Sequence, residues 1–354
     1  MIPLSSFHVD LFNPLVGGIL MAFGVAIVSW FLGRVMGMSG IINTALFCPL
    51  PNKSSSGADV KIPILLGMLF SSWLNAGSVK GSDAPGSFGW LLASGFLVGL
   101  GTTMANGCTS GHGLFGLARG SKRSIAAVVI FFSTAILVRG IVINRFISGN
   151  GIENATLDIT NVGWSFSKER LHESLNQVYI PLIIVLLTLA LPFIRPLVRR
   201  STIGLCAGMV FSHGLMISGM SNWKKVASFL ELPWLYDANS IGGRVWPFHA
   251  DPSLAIVFLS ALIPNMILHP LLMYFRKFPL LDDKFYFQRG PGQKITFALC
   301  LGSILFGIGW GMSGICPGPA ITILIPSILN SEYWCLSWWL GYISGAFSLI
   351  LIST

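Results

Sequence analysis

The chain has 354 residues and a formal net charge of +9; it is 53% hydrophobic, only 10% charged, and has a mean hydropathy of +0.74. This balance excludes a soluble globular domain and predicts an all-α polytopic membrane protein. The positive charge lies mostly in loops between apolar runs, where it serves topology and contact with membrane lipid, and no nucleic acid partner is expected.

Cysteine usage is also restrictive. Cys48, Cys108, Cys206, Cys300, Cys316 and Cys335 form no CxxC pair and no Cys/His zinc spacing, so neither a metal site, a cofactor nor a redox dithiol is announced. The N-terminus lacks a basic segment and its first apolar run continues to spanning length, which argues against a cleavable signal peptide.

That first run goes from about Leu15 to Met36, stops at Gly37-Met-Ser-Gly40, and leads into a short apolar piece ending near Cys48. A polar loop from Asn52 to Lys61 precedes a span over about Ile62 to Ala76. Phe88 to Ala105 then runs into Asn106-Gly-Cys-Thr-Ser-Gly-His-Gly113, a stretch of glycine, hydroxyl, thiol and imidazole that cannot continue a regular spanning helix. The short piece Leu114 to Ala118 ends in the basic cluster Arg119, Lys122, Arg123, and Ser124 to Ile143 spans again. Residues 144–177 are the one long polar stretch and contain the sequon Asn154-Ala-Thr156; Val178 to Val198 reads as a connector helix.

The second half repeats the plan. Ile203 to Ser218 reaches Gly219-Met-Ser-Asn222 and the short piece Val226 to Leu230, and Ser253 to Phe275 spans. Ile295 to Trp310 reaches Gly311-Met-Ser-Gly-Ile-Cys-Pro-Gly-Pro319, followed by Ala320 to Leu329 and a last span over Trp334 to Ile352. The division is a first transmembrane half-repeat at 1–150, a loop and connector at 151–200, and a second half-repeat at 201–354. With each interrupted segment crossing once, there are about nine crossings, and the odd connector inverts the second half relative to the first. Lys and Arg are more numerous in loops on the side away from the N-terminus, which predicts an outside N-terminus, a cytoplasmic C-terminus and an outward-facing Asn154.

Unwound backbone at membrane depth is tolerated only where protein buries it or where it lines a cavity, and paired interrupted segments in two halves point to a substrate site. Free amides at the broken helix ends favour an anion. The sulfur atoms of Cys108, Cys316, Met38, Met220 and Met312 narrow it to one with a soft atom, such as thiosulfate. The candidate translocation residues are therefore Gly107, Cys108, Thr109, Ser110 and His112 in one break, with Met38, Ser39, Met220, Ser221, Asn222, Met312, Ser313, Gly314 and Cys316 in the others. His112 and His213 each either serve an anion or a gate, or bond a backbone carbonyl. Arg34 either faces the pore or snorkels at a lipid-facing helix end.

These breaks resemble a known family. Asn106-Gly-Cys-Thr-Ser-Gly-His-Gly-Leu-Phe-Gly-Leu-Ala-Arg119 with Ser121-Lys-Arg-Ser124, and Gly309-Trp-Gly-Met-Ser-Gly-Ile-Cys-Pro-Gly-Pro-Ala320, look like motifs of the YeeE/YedE sulphur-transport family of thiosulfate importers. Ser218-Gly-Met-Ser-Asn-Trp-Lys-Lys-Val226 and Asp251-Pro-Ser-Leu-Ala255 are weaker matches. The resemblance implies an hourglass-like inverted repeat in the plasma membrane whose cysteines pass thiosulfate along by S–H···S bonds, and a cytoplasmic sulfur-accepting protein as a possible partner. Cys108 and Cys316 occupy the matching positions; the first break lacks the family's third cysteine, with Cys48 eight residues beyond it. No Walker-type motif is present, so the chain is not expected to drive transport with ATP. Two other readings compete: a soft cation carrier such as one for Cu(I), and an integral-membrane sulfurtransferase with Cys108 as nucleophile and His112 as its base.

Overall fold

The computed structural model describes residues 11–47, 57–78, 84–149, 168–191, 193–230, 253–287 and 294–353. Cys48, the sequon at Asn154, most of the polar stretch 144–177, and Asp251-Pro252 lie outside the described residues. Every regular element among those described is helical: α1 (Phe12–Leu32), α2 (Met38–Phe47), α3 (Ala58–Leu74), α4 (Phe88–Met104), a π turn (Thr109–Gly116), α5 (Lys122–Gly149), α6 (Lys168–Ala190), α7 (Pro196–Ile217), α8 (Trp223–Leu230), α9 (Ser253–Phe275), α10 (Phe297–Ser313), α11 (Pro317–Leu329) and α12 (Trp334–Ser353).

By length and hydropathy, five of the described helical stretches can cross a membrane, α10 and α11 counting as one, or six if α4 and the π turn, bent by 46°, form a single broken span. The protein is a multi-pass membrane protein. The sequence count of about nine also included α3, α6 and α7. Of these, α3 has 17 residues, the apolar part of α6 is Leu175–Ala190, and α7 opens with Arg199 and Arg200.

Helix contacts pair the two halves and give the repeat its hand. Gly17 packs on Gly214 and Ser218 while Gly24 packs on Ala207 and Phe211, so α1 and α7 run antiparallel. Likewise Gly101 meets Gly302 and Phe306 while Gly309 meets Ser94 and Val98, so α4 and α10 run antiparallel. By contrast α3 runs along α7, since Gly204 meets Val60 and Gly208 meets Ile64; α12 runs along α4 in the same sense. The helices that correspond in the two halves are thus the antiparallel ones, which is the geometry of an inverted repeat.

Glycine makes these contacts possible. A Cβ added at Gly95, Gly99, Gly341 or Gly345 would overlap the carbonyl group of Trp338, Tyr342, Leu92 or Phe96 across the α4–α12 seam. Between helices in lipid there is no hydrophobic driving force, so close backbone approach and dispersion hold the pair together. The glycines read from sequence as punctuation are in large part this contact surface.

At one end of α1 the chain turns through Gly33, in the left-handed region at φ 60°. The carbonyls of Trp30, Phe31 and Gly33 accept the amides of Leu280, Leu281 and Tyr286 at 3.2, 2.9 and 2.8 Å. Arg34 stacks on the Tyr286 ring at 3.8 Å and faces Asp282 at 3.7 Å. Arg200 binds the same carboxylate at 2.9 Å and Asp59 at 3.1 Å. Arg34 is therefore a buried member of an ion network joining α1, α3, α7 and the loop after α9, neither a pore residue nor a snorkelling one.

Replacing Gly99 by Val is expected to destabilise the fold by on the order of 2–3 kcal/mol. Ala at Gly89, where an added Cβ meets nothing within 4 Å, should stay within about 1 kcal/mol of the parent. Thermal unfolding in detergent followed by size-exclusion fluorescence measures both, and equal melting of the two variants would contradict the seam.

Candidate functional site

Two of the breaks share one local plan. After α4, Asn106 turns the chain at φ 55° and Cys108 is extended (φ −130°, ψ −168°) as the residue capping the π turn. After α10, Gly314 turns it at φ 69° and Cys316 is extended (φ −115°, ψ 167°) as the cap of α11. Neither cysteine side chain caps its own helix, so each thiol is directed to other partners. Both are buried.

The breaks touch one another. The Ser110 hydroxyl accepts the Met38 amide at 3.1 Å and lies 3.3 Å from the Cys108 sulfur. Thr109 donates its hydroxyl to the Cys316 sulfur at 3.6 Å. Gly37 and Gly111 face each other, a Cβ on Gly111 coming 3.6 Å from the Gly37 Cα. A Cβ on Gly318 would lie 3.4 Å from the Met38 side chain. Thus the first, second and fourth breaks meet.

A cavity of about 50 Å³ sits at this junction and also reaches Met220 of the third break. A single water needs roughly 10–15 Å³ by this measure, so the space suits one small ion or a few waters. Of the candidate residues, Met38, Thr109, Ser110, Met220 and Cys316 line it. Cys108 stands behind the wall, reached through Ser110. Much of the remaining lining is apolar, including Phe132, Phe211, Phe229, Phe258 and Trp310, and Met21 adds a thioether. Sequence alone does not mark these, because a lipid-facing and a cavity-facing apolar residue look alike inside a span.

The other candidates hold the breaks in shape. His112 contacts Ser124 Oγ at 3.1 Å through Nδ1 and the Ala105 carbonyl at 3.4 Å through Nε2, and its ring fills the space where Gly107 would carry a side chain. Arg123 donates to the same Ala105 carbonyl at 3.0 Å. Arg119, in the loop after the π turn, sits over the Phe115 ring at 5.4 Å; burial, then the Arg123 charge, holds its pKa below the usual guanidinium range. Ser313 donates to Gly309 O and accepts the Ile315 amide, closing the end of α10. Gly314 packs against the Trp223 carbonyl, and Met312 offers its own carbonyl to Trp90 Nε1 at 3.2 Å. Ser39 is buried on the first turn of α2.

In the third break Ser221 bonds the Thr322 hydroxyl at 2.7 Å. The side-chain oxygen of Asn222 accepts the Lys224 amide at 2.9 Å, and its Nδ2, fully buried, has no hydrogen-bond partner among the described residues. The same holds for Trp310 Nε1.

Free amides are unequally supplied. The π turn begins its internal bonding with His112 N–H to Cys108 O, leaving Thr109, Ser110 and Gly111 ahead of it. The α11 end differs from expectation: Pro317 and Pro319 have no N–H, so Gly318 alone supplies an amide before Ala320 bonds Cys316 O. Among the described residues no cluster of three His, Cys, Asp or Glu groups could hold a metal ion.

Residues 200–332 match a family described as "Family of unknown function (DUF6691)". A protein of Xylella fastidiosa strain 9a5c named "Probable transporter" is 41% identical over 129 residues, 35% of this chain and 75% of its own length. Another of that name, from strain Temecula1, is 35% identical over 121 residues, 33% of this chain and 84% of its own. No solved structure matches.

Ser110→Ala would strip the buried Met38 amide of its acceptor, an expected cost of about 1–3 kcal/mol. Ser110→Thr, which keeps the hydroxyl, is expected to recover at least half of the lost melting temperature in detergent; equal loss in both variants would show that bulk, not the bond, matters there.

Proposed function

We propose, from the premise that this chain belongs to the same family as those probable transporters, that it imports thiosulfate or a closely related small sulfur anion through the cavity between its breaks. The observation that carries this reading is the meeting of Thr109, Ser110, Met38 and Cys316 around one small space. Hydroxyls suit oxyanion oxygens, while a thiol and thioethers suit a polarizable terminal sulfur. The resemblance of both cysteine breaks to the YeeE/YedE thiosulfate importers supports the same substrate. Sulfate has the oxygens without the soft end, and among the described residues no Lys or Arg lines the cavity to compensate.

On this reading Cys316 is the first sulfur station and Cys108, linked through Ser110, the second. The charge asymmetry of the loops favours an outside N-terminus in the plasma membrane, with delivery to a sulfur-accepting protein in the cytoplasm. A sulfurtransferase reading has less support, since His112 bonds Ser124 and Ala105 and not the Cys108 thiol it would have to activate. A soft cation remains the second reading, favoured by one observation: Met21, Met38, Met220 and Cys316 line the same space.

Purified protein in liposomes is expected to take up ³⁵S-thiosulfate, and Cys316→Ala to slow the initial rate by about tenfold or more, roughly the value of one buried hydrogen-bonded contact. Excess sulfate should not compete. Absence of uptake, together with Cu(I)-dependent thermal stabilisation abolished by Met38→Leu and Met220→Leu, would replace the anion reading by the cation one.

A further inference from the structure

Helix α7 faces two ways. Phe211 and Leu215 line the central cavity. Between them in sequence, His213 is fully buried and turns toward α3 and α6. Its Nδ1 lies 2.7 Å from Ser71 Oγ and 2.9 Å from the Met209 carbonyl. Its Nε2 lies 3.0 Å from Gln177 Oε1 and 3.3 Å from Asn75 Nδ2.

These contacts favour one tautomer. Asn75 Nδ2 has two protons, and they go to Ser71 O and Gln177 Oε1, each at 2.9 Å. Nε2 therefore keeps its own proton and donates to Gln177. Nδ1 is then free to exist in either state. Neutral, it accepts the Ser71 hydroxyl proton; protonated, it donates to the Met209 carbonyl while Ser71 rotates. In both states Nδ1 keeps a partner without a heavy atom having to move. A histidine serving structure alone needs a single satisfied tautomer; this one has partners for two.

Among the described side chains, few other ionisable groups stand near His213. Within the described elements packed on α7, α1 has no charged side chain inside the helix and α11 adds none beyond the Cys316 thiol at its head. On α3, Asp59 and Lys61 precede Ser71 by ten residues or more, roughly 15 Å, and Asp59 is held by Arg200. On α7 itself Arg199 and Arg200 lie a similar distance back, with the Cys206 thiol between. On α6, Glu173 stands one helical turn before Gln177, with His172, Arg170, Glu169 and Lys168 further back and Tyr179 just after it.

The pocket is also tied to the breaks. Ser72, next to Ser71 on α3, donates to Thr322 O at 2.6 Å, and Thr322 bonds Ser221 of the third break. A change in cavity shape that shifts α7 or α11 alters the distances from His213 to Ser71 and Gln177. Import supplies the need: against an inside-negative potential of 100 mV each entering negative charge is opposed roughly fiftyfold in concentration ratio, a dianion roughly two-thousandfold, and one co-entering proton cancels one of its two charges and so brings this back to roughly fiftyfold.

We propose that His213 is a proton-binding site that couples inward proton movement to anion uptake, one proton per substrate. This rests on the reading of the chain as an importer of a small sulfur anion.

The test uses liposomes containing the full chain, with the membrane potential clamped at zero by potassium and valinomycin. Exchange of external ³⁵S-thiosulfate against internal unlabelled thiosulfate at equal pH first establishes carriage without a driving force. Coupling predicts that steady-state accumulation of ³⁵S-thiosulfate rises about tenfold for each unit by which the outside is made more acid. In His213→Gln exchange should persist while the response to the gradient disappears. Ser71→Ala, which keeps the imidazole but removes a partner of Nδ1, should shift the pH at which the response is half-maximal. No exchange in the parent would overturn the importer reading and this proposal with it. Exchange with no response to the gradient, or an unaltered response in His213→Gln, would overturn the proton site alone. If His213→Gln fails to fold, an unshifted response in Ser71→Ala has the same meaning.

Discussion

The structure depends on one constraint: backbone that leaves the helical ladder inside a membrane must find its hydrogen bonds within the protein. Ser110 meets that constraint for two breaks at once, accepting the Met38 amide and standing beside the Cys108 thiol. Thr109, its neighbour, extends the same stitch to Cys316. Hydroxyl side chains are suited to this, since each can donate and accept without bringing a charge into the membrane. The breaks converge because each supplies what another lacks, and the cavity is the space left between them.

That solution sets the chemistry of the centre. An isolated dianion in an apolar space is penalised by several kcal/mol or more unless donors meet it. Here the polar groups on the lining are few: the hydroxyls of Thr109 and Ser110 and the thiol of Cys316. Prolines at both ends of Pro317-Gly-Pro319 remove amides that an unmodified helix end would offer. On the proposed reading such a centre binds weakly, and weak binding at a constriction is compatible with throughput, because a substrate that must leave cannot be held by strong charge.

Much of this was legible in the sequence, for identifiable reasons. Helical crossings follow from long apolar runs, and the breaks from glycine and hydroxyl residues that cannot sustain them. The repeat showed itself because Gly37-Met-Ser-Gly40 and Gly219-Met-Ser-Asn222, which follow the counterpart helices α1 and α7, share a spelling. What spelling could not give was direction. Met38 turns to the cavity while Met312, at the equivalent place in its motif, contributes a carbonyl to Trp90 and lies outside the lining. Arg34 read as an end residue because its partner, Asp282, is remote in sequence. Trp310 and Phe258 were invisible for the opposite reason: in a chain that is half hydrophobic, apolar residues carry no signal of which face they occupy.

The glycine seams explain why the breaks can be both buried and close together. On α4, Gly95 and Gly99 lie against the carbonyls of α12, and Gly101 against Gly302 and Phe306 of α10. These contacts bring α4 and α10 to backbone distance just before each breaks, so Cys108 and Cys316 emerge from helices already in register. Because α4 and α10 are antiparallel and overlap along most of their length, their broken ends lie on opposite sides of the contact and the breaks turn back to meet. A parallel repeat would send both ends to one membrane face. Inversion and close glycine packing together bring the two cysteine breaks to one place, where Thr109 meets Cys316.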